Sequence, residues 1–191
     1  APVISPTGEV ITRFQKICPF LPFEKGVEAG SDICFFDVPE VGRFGLYICY
    51  DMWFPELSRA MIAEGVEVIL HPTLTDTCDR DVEKAMARAT AAQQQSYVVD
   101  INGTGALGVG QSMVVGPEGE VIHEALCGEE VILFEADLGR VRRSRERGIL
   151  GLGQPLKSFR DGILTNAEKY ASNQSPYLDS LGPLEVAKRE R

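Results

Sequence analysis

The sequence predicts an α/β fold, because strand-like apolar runs alternate with stretches of helical period along the chain. Residues 43–49 are aromatic and aliphatic with no breaker after Gly45, as a buried strand requires. Pro55-Glu56 then opens a segment in which Leu57, Ala60 and Met61 recur at helical spacing, and Gly65 closes it. Residues 66–70 are apolar again and end in His71-Pro72. Strand, helix and strand in that order make a βαβ unit, which brings the ends of its two strands to one sheet edge. Cys49 and His71 are therefore expected close together.

The remaining elements follow from local pattern. Val3-Ile4-Ser5, the turn Pro6-Thr7-Gly8-Glu9 and Val10-Ile11-Thr12-Arg13-Phe14 predict a hairpin. Val114-Val115-Gly116-Pro117-Glu118-Gly119-Glu120-Val121-Ile122 repeats the same device. Pro19 and Pro22 stiffen the loop over 16–24, and residues 33–38 form a strand that turns through Pro39-Glu40-Val41-Gly42 into the cysteine strand. Residues 80–95 predict a long helix with Val82, Ala85, Met86 and Ala89 on its apolar face, and 97–101 a strand. Glycines 103, 105, 108 and 110 mark a flexible loop, 130–136 a last strand and 138–147 a basic helix. Residues 1–147 are read as one domain. From Gly148 to Arg191 periodicity fades, and this stretch is read as an extended arm available to another subunit rather than as a second domain.

Composition narrows the function classes. The 191 residues suffice for one domain with a real core, and 44% hydrophobic with 25% charged residues is ordinary for a globular chain. A formal net charge of −9 argues against nucleic acid and anionic membrane as partners. Five cysteines without a disulfide framework point to a reducing, cytoplasmic setting. No apolar run approaches the roughly 20 residues of a membrane span, and the opening residues carry no signal-peptide pattern.

The chemistry-bearing candidates are Cys49, Lys16 and Glu24. A cysteine where a strand bends into a helix faces that helix's unpaired N–H groups, which favour a thiolate and offer donors to an oxyanion. A thiolate attacking a carbonyl or nitrile also needs a cation for the developing charge and a carboxylate for proton movement. Lys16 and Glu24 share one stiff loop that the first hairpin can fold over the strand end. By residue type alone, the same three could be two surface charges and a buried structural thiol.

The segments Arg13-Phe14-Gln15-Lys16-Ile17-Cys18-Pro19-Phe20-Leu21-Pro22-Phe23-Glu24 and Tyr47-Ile48-Cys49-Tyr50-Asp51-Met52-Trp53-Phe54-Pro55-Glu56 resemble the lysine and cysteine motifs of the nitrilase superfamily of carbon–nitrogen hydrolases. The likeness continues through His71-Pro72, Arg88-Ala89, Tyr97-Val98-Val99 and the 112–122 hairpin to about Arg147. It implies a four-layer α-β-β-α sandwich, with Cys49 as nucleophile, Lys16 and the backbone N–H of Tyr50 holding the oxyanion, and Glu24 orienting the lysine and substrate. The family's general-base glutamate lies earlier than any residue here, Glu9 being in a hairpin turn. The chain thus looks like the C-terminal part of a longer enzyme, the other reading being a remnant without the full cycle. Within the superfamily, the Lys-loop spacing and Asp51 look amidase-like.

The reaction so implied is hydrolysis of a small-molecule amide through a thioester, with no cofactor or metal, in a homo-oligomer. A carbamoyl-amide hydrolase, an acyl-transferring relative and a non-catalytic assembly subunit stand as alternatives. Trp53, Phe54 and His71 are candidate substrate-pocket walls; Trp53 could equally cap the core, and His71 could be a satisfied strand-end histidine. Other signals are discounted. Gly103-Thr104-Gly105-Ala106-Leu107-Gly108 runs into a strand, so no helix N-terminus awaits a pyrophosphate. Arginines 140, 142, 143, 145 and 147 are interrupted by Glu146 in an acidic chain, and His123, Glu124 and Cys127 lack zinc spacing. No G-x-S-x-G elbow is present.

Overall fold

The structure, a computed structural model, describes residues 1–21, 23–162 and 175–183. A two-stranded hairpin, β1 (Pro2–Ile4) and β2 (Val10–Arg13), precedes a six-stranded mixed sheet. That sheet contains β3 (Cys34–Val38), β4 (Gly42–Leu46), β5 (Val68–Thr73), β6 (Tyr97–Asn102), β7 (Met113–Val115) and β8 (Val121–Glu124), in sequence order across its width. β4, β5 and β6 run parallel; the other pairings are antiparallel. The parallel pairs are joined by α1 (Pro55–Ala63) and α2 (Arg80–Gln94), so the expected βαβ unit is present and a second follows it. The α/β class expected from the sequence is what the molecule has. Within the described residues the sandwich is represented by this sheet, its helical layer and the β1–β2 hairpin.

Alternation along the strands explains the two cores. Ile69 and Val98 point to one face and are buried with Met61 and Ile62 of α1 and Ala87 and Ala91 of α2. Val68 and Tyr97 point to the other face and meet Leu138 and Val141 of α3 (Leu138–Arg147). Gly45 is required where α1 presses on the sheet, because a Cβ there would lie 2.8 Å from Met61 Sδ and 3.0 Å from Val66 Cγ1.

Two boundaries differ from the sequence reading. Residues 130–136 are not a strand; β8 is the last strand of the sheet. Val131 and Leu133, in the apolar run that reads as a strand, are 85% and 90% exposed, and the segment has no ladder partner. It serves instead to carry the chain from β8 to α3. Conversely, β5 runs on through His71 and Pro72 to Thr73. Proline is tolerated there because β4 pairing ends at Leu46–Leu70, which leaves β6 as the strand's partner at Pro72.

Part of the arm turns back on the body. α4 (Pro155–Arg160) packs against α2, with Leu156 on the main core and Phe159 under the Arg59 guanidinium at 5.2 Å. A short α5 (Pro176–Asp179) is capped by Ser175, whose hydroxyl accepts from the Leu178 N–H. The rest of the predicted arm, 163–174 and 184–191, lies outside the described residues.

The packing predicts its own energetics. Ile69→Ala, at a fully buried position, should cost about 2–5 kcal/mol. Val82→Ala, 48% exposed on α2, should stay within about 0.5 kcal/mol. Urea denaturation should show the first as a lowered midpoint with an unchanged slope. An Ile69→Ala midpoint equal to the unaltered protein's would refute this placement of the core.

Candidate active site

Cys49 begins a 3₁₀ turn, Cys49–Trp53, three residues beyond the end of β4. Its backbone is left-handed, with φ +51°, while Ile48 before it is extended. For a residue with a Cβ this conformation costs on the order of 1–3 kcal/mol and persists only where neighbours enforce it. The result is a sharp corner that lifts the half-buried thiol out of the strand line.

Asp51 enforces the corner from one side. Its buried carboxylate accepts the Ile48 N–H at 3.0 Å, which closes the turn, and the Cys18 N–H at 2.7 Å, which fastens the lysine loop to it. Burial raises the Asp51 pKa, and the backbone N–H groups of Ile48 and Cys18 and the Lys16 charge offset this only in part. The loop is tied at its other end by Gly30 N–H to the Lys16 carbonyl, at 2.8 Å. A Cβ on Gly30 would collide with the Gln15 carbonyl oxygen, so the close approach needs glycine there.

Within the loop, the mostly buried Lys16 donates from Nζ to Glu24 Oε2 at 2.8 Å, and Phe20 N–H reaches the same oxygen at 2.5 Å. Burial works to raise the Glu24 pKa, but the Lys16 and Phe20 hydrogen bonds outweigh it and hold the carboxyl below its usual range. The loop then lays an aromatic cluster on the corner. Phe20 stacks on Tyr50 with centroids 4.7 Å apart, Phe23 on Phe20 at 4.8 Å, and Trp53 and Phe54 flank Tyr50 at 6.0 and 5.3 Å. Trp53 is 37% exposed and sits on the rim. Cys18, beside Asp51, is pushed up to about 11 by burial and by that carboxylate.

His71 enforces the corner from below. It is fully buried; Nδ1 lies 2.8 Å from Asp100 Oδ1 and Nε2 lies 3.0 Å from the Cys49 carbonyl oxygen. Asp100 also takes the Arg80 Nη2 group at 2.6 Å, and Arg80 continues to Glu83 at 3.2 Å and to the Gln111 carbonyl at 2.7 Å. The histidine's ring nitrogens are thus both engaged with protein oxygens. Tyr47 packs edge-on against its ring at 5.0 Å. Burial, with the Asp100 and Asp51 charges, drives that phenol far above its usual range.

The corner therefore gathers Cys49, Tyr50, Trp53 and Phe54, with the loop that carries the Lys16–Glu24 pair fastened to it through Cys18 and Phe20 and with His71 beneath. Sequence reasoning passed over Asp100 and Arg80. Their signal was an acid inside the apolar run Tyr97-Val98-Val99-Asp100-Ile101, at the register position opposite His71. Among the described residues, no group of three or more His, Cys, Asp or Glu side chains is placed to hold a metal ion, and His123 instead faces Glu130 at 2.6 Å. No helix among them is long and apolar enough to cross a membrane.

This sheet, with its helices, defines an α/β protein of the nitrilase superfamily. Nit3 of Saccharomyces cerevisiae, a solved member of branch 10 of that superfamily, matches 73% of this chain and 53% of its own, with a TM-score of 0.67 and 29% identity. The family profile of the carbon-nitrogen hydrolases covers residues 1–146, and the chain belongs to that family. The deaminated glutathione amidase of Bos taurus is 34% identical over 112 residues, which are 56% of this chain and 34% of that protein. Omega-amidase NIT3 of Saccharomyces cerevisiae is 35% identical over 102 residues, 50% of this chain and 35% of that protein. The chain spans about a third of the length of these two curated relatives.

The Glu24 latch sets a pH signature. A carboxyl held below its usual range contributes stability that is complete above the unfolded value and lost as pH falls through the folded one. Hydrogen-exchange protection of the Phe20 amide should accordingly persist through mildly acidic pH, then fall as Glu24 takes up its proton. Glu24→Gln should remove that step. A step that survives the substitution would show that another group closes the loop.

Proposed function

We propose that the chain carries the thiol-dependent part of an amidase site. Cys49 Sγ attacks the carbonyl carbon of a small amide, Lys16 and the Tyr50 N–H hold the oxyanion, and Glu24 keeps the lysine in place. The C–N bond breaks as the thiol proton ends on the departing amine. Water then cleaves the thioester to the carboxylic acid and restores the thiol. The observation that carries this reading is the latch: Cys18 N–H on Asp51 and Phe20 on Tyr50 fasten the Lys16–Glu24 loop to the corner bearing Cys49. Membership of the carbon-nitrogen hydrolases supports hydrolytic chemistry, and the amidase names of both relatives favour an amide over a nitrile.

Mass spectrometry after incubation with an amide or activated acyl probe should find the acyl adduct on Cys49, and not on Cys18, Cys34, Cys78 or Cys127. Lys16→Ala should slow adduct formation by about 10²–10³-fold, the usual cost of losing one oxyanion donor, with the fold intact. An adduct spread over all five cysteines would overturn the assignment of the nucleophile. An unchanged rate in Lys16→Ala would overturn that of the lysine.

A further inference from the structure

The three buried side chains His71, Asp100 and Arg80 form a chain of contacts that ends on one peptide group. That group is Cys49–Tyr50, whose carbonyl faces His71 Nε2 at 3.0 Å. In a planar trans peptide the C=O and N–H point in opposite directions, so whatever holds the carbonyl also aims the N–H. The N–H here is that of Tyr50, the backbone donor assigned to the oxyanion.

Hydrogen-bond valence fixes the charge on the ring. Both ring nitrogens face oxygen atoms, a carboxylate at Nδ1 and a carbonyl at Nε2, and the carbonyl can only accept. Arg80 at 2.6 Å keeps Asp100 a carboxylate, so Asp100 accepts as well. Both bonds exist together when each nitrogen carries a proton. Around the ring, Asp100 from β6 faces it directly and supplies the counter-charge, Arg80 and Glu83 from α2 lie beyond Asp100, and the Tyr47 ring packs T-shaped against it. A cation donating to a peptide oxygen polarises the whole peptide and strengthens its N–H as a donor.

We propose that His71, held as an imidazolium by Asp100 and Arg80, is a positioning residue that orients and polarises the Cys49–Tyr50 peptide, so that the Tyr50 N–H is a stronger and better aimed oxyanion donor. This inference rests on the reading of Cys49 as the nucleophile. It gives His71 a role inside the protein, without contact to substrate. Asp100 holds the ring's protonation and orientation, and Arg80 holds Asp100.

Two reagents separate this role from a purely structural one. Attack of Cys49 on p-nitrophenyl acetate forms a C–S bond and expels nitrophenolate with its electron pair through a tetrahedral oxyanion. Because that leaving group needs no proton, the rate reports the oxyanion site. Alkylation by iodoacetamide displaces iodide at a saturated carbon and forms no oxyanion. In the full protein with Cys78→Ser and Cys127→Ser, His71→Leu should slow acylation of Cys49 at least about tenfold and leave alkylation within about twofold. Asp100→Asn, which removes the charge and keeps the shape, should do the same. Nitrogen NMR of the ring, assigned against His123→Asn since only two histidines exist, should show both His71 nitrogens protonated at neutral pH. A bare ring nitrogen on His71, or equal slowing of both reagents, would overturn the inference. So would acylation that ignores both variants, and this outcome would leave the proposed nucleophile standing. Failure of the unaltered protein to acylate Cys49 would remove the proposed function and, with it, the role given to His71.

Discussion

The left-handed backbone of Cys49 is the constraint around which the molecule is arranged. A β-strand does not end in such a corner unaided, because a Cβ at positive φ crowds the adjacent backbone. Here the residue before the corner and the corner residue's own carbonyl are both held. Asp51 ties the Ile48 N–H back to the turn, and His71 takes the Cys49 carbonyl from below. Glycine would relieve the strain, but it would remove the thiol that the corner presents. The cost is met by the surrounding hydrogen bonds and by the packing of Met52 and Tyr47 into the core on either side.

Two buried carboxylates do this work under opposite electrostatic conditions. Asp100 sits between the His71 ring and the Arg80 guanidinium, with one carboxylate oxygen against each. Asp51 has no comparable partner. Its main compensation is two backbone N–H groups with Lys16 nearby, and its pKa is raised by burial all the same. The difference follows from placement. Asp100 lies on a central strand with α2 above it, where an arginine can reach down from the first turn. Asp51 lies between the corner and the loop, where the groups to be satisfied are backbone N–H donors. Each carboxylate is matched to what it must hold: a ring and a guanidinium in one case, the corner and the lysine loop in the other.

Much of this was legible in the sequence, and the boundary of what was not is physical. Lys16, Glu24 and Cys49 stood out through the resemblance of their two segments to the lysine and cysteine motifs, since residue type and spacing alone left them open to being two surface charges and a buried thiol. The βαβ order and the hairpins were legible because turn chemistry and periodicity act over a few residues. Asp100 and Arg80 were not, because their meaning comes from the β5–β6 register, which places Asp100 opposite His71, and from the seating of α2 over β6. His71 was legible as a partner of Cys49 at one sheet edge, but which way its ring faced depended on those two missed residues. The stretch 130–136 misled for the opposite reason: its apolar run is strand-like taken locally, but a strand also needs a neighbour's ladder, and β8 already closes that side of the sheet.

The proposed assignment of the nucleophile rests on differences among the five thiols. Cys34 is buried in the core, and that burial raises its pKa. Cys18 lies closest to the Lys16 loop by sequence and could have competed, yet burial and the Asp51 carboxylate hold it as a neutral thiol at about 11. Since the thiolate is the nucleophilic form, the carboxylate that fastens the loop also suppresses the loop's own cysteine. Cys78 and Cys127 are exposed and take no part in the corner's hydrogen bonds. What distinguishes Cys49 is position: it is the cysteine at the left-handed corner, and His71 meets its carbonyl. In the proposed site the backbone that carries the sulfur is held by Asp51 on one side and by His71, Asp100 and Arg80 beneath, so the buried side chains under that backbone belong to the site as the Lys16 loop does.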